Sequence, residues 1–132
     1  MTVLTAETNI RILLQAYFDG LYTSDAQMLE RVFHPHALYA TAVDGQLVQR
    51  NMQDYLEVIR QRTSPASRHE PRTDLILQLE VLGPHTAFAK VQCSIAERHF
   101  TDLLSLVRVD GHWQIMAKVF HYEPLGVASC TS

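Results

Sequence analysis

The last third of the chain, His99 to Glu123 (HFTDLLSLVRVDGHWQIMAKVFHYE), constrains the fold most. Two long runs rich in Leu, Val, Ile and Phe flank Asp110-Gly111. An Asp-Gly pair between such runs is a strong hairpin signal. A hairpin this long and apolar must bury one face in a larger sheet, because two strands alone are marginal in water. Into that apolar surface the chain sets one acid, Asp102, beside Leu103 and Leu104, and one base, Lys118, between Ala117 and Val119. A lone charge there is costly to bury without a partner. The Asp102/Lys118 pair is therefore the leading candidate for chemistry.

Their relation depends on the turn. A three-residue loop, Asp110-Gly111-His112, would set Asp102 opposite Phe120, Leu104 opposite Lys118 and Leu106 opposite Met116. Asp102 and Lys118 would then be diagonal neighbours on one face. A two-residue loop would put them on opposite faces. The first arrangement is the expectation, with the pair either orienting a ligand or acting as acid and base. The plainer alternative is a charge pair that fixes the sheet or a dimer.

Upstream, Ile10, Leu13, Leu14, Tyr17, Phe18 and Leu21 recur at helical spacing, which predicts a helix from about Ala6 to Tyr22, with Thr5 to Thr8 as an imperfect capping box. Ser24-Asp25 caps a short second helix carrying Met28, Leu29, Val32 and Phe33, and Pro35 stops it. Ala37 to Val43 and Gln46 to Gln49 form a hairpin about Asp44-Gly45, and Asn51 caps a third helix with Met52, Tyr55, Leu56 and Ile59 on one side. Thr63 to Arg72 reads as a loop. Strands follow over Thr73 to Leu82, Thr86 to Glu97, Arg98 to Val109 and Trp113 to Tyr122. The whole reads as one domain over residues 1–132, with its core at about 6–123 and a tail over 124–132.

The 132 residues carry a net charge of -3, with 47% hydrophobic and 19% charged residues. This is ordinary globular composition, and no basic stripe is available to neutralise phosphates, so nucleic acid is not expected as a partner. No apolar run approaches a membrane span, and the N-terminus has neither a basic nor an apolar leader segment. Two cysteines, Cys93 and Cys130, build no disulfide framework. A cytoplasmic protein is the expectation, without cofactor and without metal.

Helices first and antiparallel strands afterwards define an α+β fold. The order of segments then resembles a family. Its most specific pieces are Phe33-His34-Pro35-His36-Ala37, Phe100-Thr101-Asp102, and Gly111-His112-Trp113-Gln114-Ile115 with Lys118. These resemble the NTF2-like, or SnoaL-like, superfamily, and within it the putative lumazine-binding group, over about Ile10 to Phe120. The resemblance implies a cone: a curved antiparallel sheet with three N-terminal helices enclosing a pocket. The superfamily holds ketosteroid isomerase, scytalone dehydratase, polyketide cyclases and non-catalytic members, so fold alone names no activity. Ketosteroid isomerases carry a protonated aspartate near the position of Asp102, but their basic aspartate has no counterpart in Ala37 to Thr41.

Within such a cone the expected lining is Tyr17, Phe18 and Phe33, then Tyr39, Met52, Tyr55 and Ile59, and from the last strand Met116 and Phe120, with Asp102 and Lys118 as polar groups. The catalytic candidates are Asp102, Lys118 and His34, the last as a base at the pocket mouth. His34 and His36 frame Pro35, but a metal needs further ligands, and a histidine bonding local backbone is the simpler role. Arg98 and His99 are either an anion site or a solvated strand end. Cys93 on an apolar face behaves as a small hydrophobe. Three functions follow: a binder of a small ring-containing molecule, a metal-free isomerase, dehydratase or cyclase, or a dimeric accessory module. A homodimer through the uncovered sheet face is expected, using Leu103, Val107, Ile115 and Val119 or their alternates.

Overall fold

In the computed structural model, which describes residues 3–125, helix α1 (Val3–Thr23) buries Ile10, Leu14, Tyr17, Phe18 and Leu21 along one stripe. The helix already runs at Val3, so the expected capping segment, Thr5 to Thr8, lies inside it. Asp25 caps α2 (Ala26–Val32), its side chain accepting from the Met28 N–H at 3.1 Å. Gly20 permits the close α1–α2 packing: a Cβ there would sit 2.8 Å from the Leu29 side chain. Asn51 caps α3 (Met52–Gln61) by accepting from the Asp54 N–H at 2.8 Å. The buried side of α3 is Met52, Tyr55, Leu56 and Ile59.

Six strands follow or interleave: β1 (Phe33–Thr41), β2 (Val48–Arg50), β3 (Leu75–Val81), β4 (Thr86–Ile95), β5 (Arg98–Val109) and β6 (His112–Pro124). They form one curved, open sheet in the order β2-β1-β6-β5-β4-β3. With the three helices against its inner face this is an α+β cone. The sheet is mixed and not wholly antiparallel, because β1 pairs with β6 in parallel. A parallel pair needs a long crossover, and here the crossover is most of the chain, so no local turn signal announces it. Within the expected loop, Ala66–Arg68 makes a single 3-10 turn. β6 continues to Pro124, and Leu125 donates its N–H to the Glu97 carbonyl at 2.9 Å, so the chain stays tied down past Glu123. The remainder of the expected tail, with Cys130, lies outside the described residues.

The β5–β6 turn is the two-residue Asp110-Gly111, with φ of 52° and 79°. Positive φ at both positions is what a type I′ hairpin requires. Pairing therefore runs Val109 with His112, Arg108 with Trp113, and Leu106 with Ile115. Beyond Leu106 the register moves by one: Ser105 pairs with Ala117, Leu104 with Lys118 and Asp102 with Phe120. Met116 is the extra residue of a β-bulge. The three-residue turn is thus wrong, yet the bulge restores the expected facing at Asp102 and Lys118. It also changes which residues point outward. Ile115 is fully buried on the inner face, not on the outer one, whereas Leu103 and Val119 are outward at 44% and 50% exposure.

Candidate functional site

Consecutive pairings lay out rows of side chains across the inner face. One row runs Arg50, Tyr39, Lys118, Leu104, Ala89 and Leu79. The next runs Thr41, Phe120, Asp102, Val91 and Ile76. Asp102 and Lys118 are therefore diagonal neighbours beneath α1 and α3. Both are buried, at 1% and 5% exposure.

From α1, the Tyr17 hydroxyl donates to Asp102 Oδ2 at 2.6 Å. Asp102 Oδ1 is buried and has no hydrogen-bond partner among the described residues. No salt bridge within 4.0 Å joins Asp102 to Lys118. The Lys118 ammonium instead makes one long bond, 3.5 Å, to the Tyr55 hydroxyl on α3. Around it stand four rings: Tyr17 at 5.2 Å, Tyr55 and Phe120 at 5.3 Å, and Tyr39 at 5.7 Å from Nζ to centroid. The negative faces of these rings favour a cation that burial alone would disfavour. Phe33 packs edge-on to both Tyr17 and Tyr55 and closes the cage from the side of β1.

Burial opposes charge on Lys118, but Tyr55, Asp102 and Tyr39 outweigh it and hold the lysine above its ordinary value. The net direction favours the ammonium form of Lys118. Burial, and then the Asp102 carboxylate, push the Tyr17 hydroxyl well up. Tyr55 is raised by burial and partly drawn back by Lys118. Both hydroxyls thus stay protonated: Tyr17 donates to Asp102, and Tyr55 accepts from Lys118. The interior offers a ligand an acceptor, Asp102 Oδ1, and the unused donors of a caged ammonium, on aromatic walls.

A scan against protein families matches residues 5–121 to the family described as "Putative lumazine-binding". The chain belongs to that family. Among solved structures, this family member is similar to an NTF2-like protein of unknown function from Shewanella baltica OS155. The TM-score is 0.83 at 24% identity, covering 94% of this chain and 98% of that one. It is also similar to one from Silicibacter pomeroyi DSS-3, with TM-score 0.79 at 21% identity, over 93% and 100% of the two chains. The fold is NTF2-like. Among curated proteins, "Aldolase FrzH" from a Cladobotryum species is 28% identical over 110 residues, 82% of this chain and 84% of that protein.

The residues expected from sequence divide. Tyr17, Tyr39, Tyr55, Phe120, Asp102 and Lys118 converge, with Phe33 behind them. His34 does not join them. Its Nδ1 accepts from the His36 N–H at 3.0 Å, a local backbone role, and it lies beside a separate groove of about 240 Å³ between α2, β1 and α3. That groove also takes Met52, with Glu30 and Arg60 at its rim. Phe18 and Ile59 are packed into the core, and Met116 sits half-buried on the bulge. Among the described residues no cluster of three or more His, Cys, Asp or Glu is placed to hold a metal ion. Among the described residues no helix is long and apolar enough to cross a membrane. Arg98 lies over the Tyr122 ring, 4.5 Å from its centroid. Cys93 is buried, and desolvation, then Asp102, push its thiol up to about 12. Two inward residues were missed from sequence: Arg50, one position beyond the expected return strand, and Phe100, whose ring lies 5.8 Å from Phe120. Arg50 follows from Tyr39 once the β1–β2 register is known.

Proposed function

We propose that this protein binds a small ring-containing molecule at the Tyr17–Asp102–Lys118–Tyr55–Tyr39 cluster, with a carbonyl or hydroxyl oxygen directed at Lys118 and a donor directed at Asp102. The observation that carries this is the partnerless, fully buried Asp102 Oδ1 beside a caged ammonium. An unsatisfied buried polar atom costs about 1–3 kcal/mol, which a bound polar group would offset. Tyr and Phe faces supply flat surface for a ring. The family's description and the NTF2-like fold support a small-molecule role. The 240 Å³ groove is a separate hollow, and among the described residues none of its lining side chains has a buried polar atom left without a partner.

The test is a thermal-shift screen of aromatic heterocycles and cyclic ketones, run with and without a chelator. Stabilisation that survives the chelator and disappears in Tyr55→Ala supports the proposal. Stabilisation only by divalent metals would overturn it and move His34 and His36 to the centre. We also propose that the protein is a homodimer through the outer sheet face, where Leu38, Leu103 and Val119 are exposed.

The resemblance to an aldolase favours a second reading, catalysis on a carbonyl compound. In it Asp102 Oδ1 takes the proton next to the carbonyl, and the Lys118 ammonium with Tyr55 stabilises the oxygen of the enolate. Of the classes expected from sequence, a cyclase that closes a carbon ring would use the same enolate. A lysine held protonated is a poor nucleophile, so borohydride should trap no Lys118–carbonyl adduct. A trapped adduct would replace this mechanism with an imine one.

A further inference from the structure

Two buried side-chain polar atoms among the described residues have no partner: Asp102 Oδ1 and Arg50 Nε. Arg50 is the last residue of β2, at the sheet edge, and its Cα partner is Tyr39, whose own partner on the other side is Lys118. Strands lie about 4.8 Å apart, so Arg50 and Lys118 are roughly 10 Å apart at Cα, on the same face, with Tyr39 between them. The Tyr39 ring has the Arg50 guanidinium 5.9 Å from its centroid and the Lys118 ammonium at 5.7 Å. No salt bridge among the described residues involves Arg50.

Among the described residues, the charges on the two inner-face rows are Arg50, Lys118 and Asp102, two positive and one negative, while Arg62, also near Tyr55, is bonded to Ser24 and the Leu21 carbonyl. A neutral ligand would leave one half-buried guanidinium without an anion, whereas a monoanion completes the set. A phosphate monoester, near two negative charges at neutral pH, would overshoot it. The planar guanidinium fork suits a carboxylate, which accepts two parallel N–H bonds.

Resting on the binding site proposed above, we propose that the ligand is a carboxylic acid. Arg50 holds its carboxylate at the β1–β2 edge, while its ring lies against Tyr39 and its second oxygen reaches Lys118. Arg50 then selects acids over their neutral esters, and Lys118 and Asp102 act on the far end of the same molecule.

The test compares phenylpyruvate and 4-oxo-4-phenylbutanoate, which differ in the spacing of ketone and carboxylate, each against its methyl ester. Calorimetric titration is run on the unmodified chain and on Arg50→Met, Arg50→Lys and Lys118→Met. At least one acid should bind about tenfold or more tighter than its ester, as loss of charge-assisted hydrogen bonds implies. Arg50→Met should remove that preference by weakening the acid far more than its ester. Arg50→Lys, which keeps the charge but not the fork, should retain part of it. Lys118→Met should weaken acid and ester alike. If acids and esters behave the same, including no binding by either, or if Arg50→Met weakens both equally, the carboxylate inference is overturned. Acid binding as well as ester binding that needs Lys118 but not Arg50 would leave the site proposal standing while removing this one. Binding indifferent to Lys118 would remove both.

Discussion

Replacing Asp102 with Ala should destabilise the protein far more than its volume suggests. The side chain is 1% exposed, and its loss leaves two groups stranded. The Tyr17 hydroxyl, fully buried, loses the acceptor it holds at 2.6 Å. Lys118, 5% exposed, loses a carboxylate that favours its charge. Removing one partner of a buried charged pair costs roughly 3–5 kcal/mol, and a stranded buried hydroxyl about 1–3 kcal/mol. The two effects share a site and will not add fully, so roughly 3–5 kcal/mol is expected overall. For a domain of this size that is a fall in Tm of about 10–20 °C. Adding Lys118→Met removes the stranded ammonium and places a thioether among the rings, so the double variant should recover about half of the loss. Adding Tyr17→Phe should recover most of the rest. Differential scanning calorimetry of the single, double and triple variants gives the three values. If Asp102→Ala and Asp102→Ala/Lys118→Met melt at the same temperature, the two residues are not coupled and the interior cluster is not a unit.

Three further outcomes follow from particular residues. Ala96 and Glu97 close the β4–β5 turn with φ of 53° and 64°, a conformation costing L-residues about 1–2 kcal/mol each, so Ala96→Asn/Glu97→Gly should raise Tm by several degrees; an unchanged or lower Tm would contradict this. Burial raises Cys93 from 9.0 to about 12, so the unfolded chain loses that thiol's proton first as pH rises. Stability linked to this group is present below pH 9 and lost between 9 and 12, a decline that Cys93→Ala should flatten; in a Cys130→Ser background Cys93 should resist thiol reagents at pH 8 until the protein unfolds. Sedimentation at micromolar concentration should give a dimer of the 15.0 kDa chain that Leu103→Glu/Val119→Glu dissociates, since an interface of this kind buries at least ~1,000 Å²; a monomer before mutation would end the proposal.

The elements were legible in the sequence because their signals are local: caps at Asp25 and Asn51, helical stripes in α1 and α3, and the Asp110-Gly111 turn. The bulge was not. It falls in Ile115-Met116-Ala117, where every residue is apolar, so alternation carries no mark of the phase change. The parallel β1–β6 pairing was equally hidden, because it joins residues far apart in the chain. Of the candidate site, Asp102 and Lys118 stood out as charges in apolar runs. Tyr17 was visible only as one of several aromatic residues at helical spacing, and nothing in sequence marked it as the partner of Asp102. Arg50 carried no signal, lying one position beyond the expected return strand, and only its register with Tyr39 places it on the inner face. His34 drew attention by its residue type, while its position on β1 turns it toward the α2–α3 groove.

The most direct measurement is a crystal structure with the strongest ligand from the thermal-shift screen. The proposed site requires a ligand oxygen within about 2.7–3.2 Å of Lys118 Nζ, or a ligand donor at that distance from Asp102 Oδ1, with a ring against Tyr39 or Tyr55. A ligand seated instead in the groove between Glu30, His34 and Arg60, with the Tyr17–Asp102–Lys118 cluster unchanged, would contradict it.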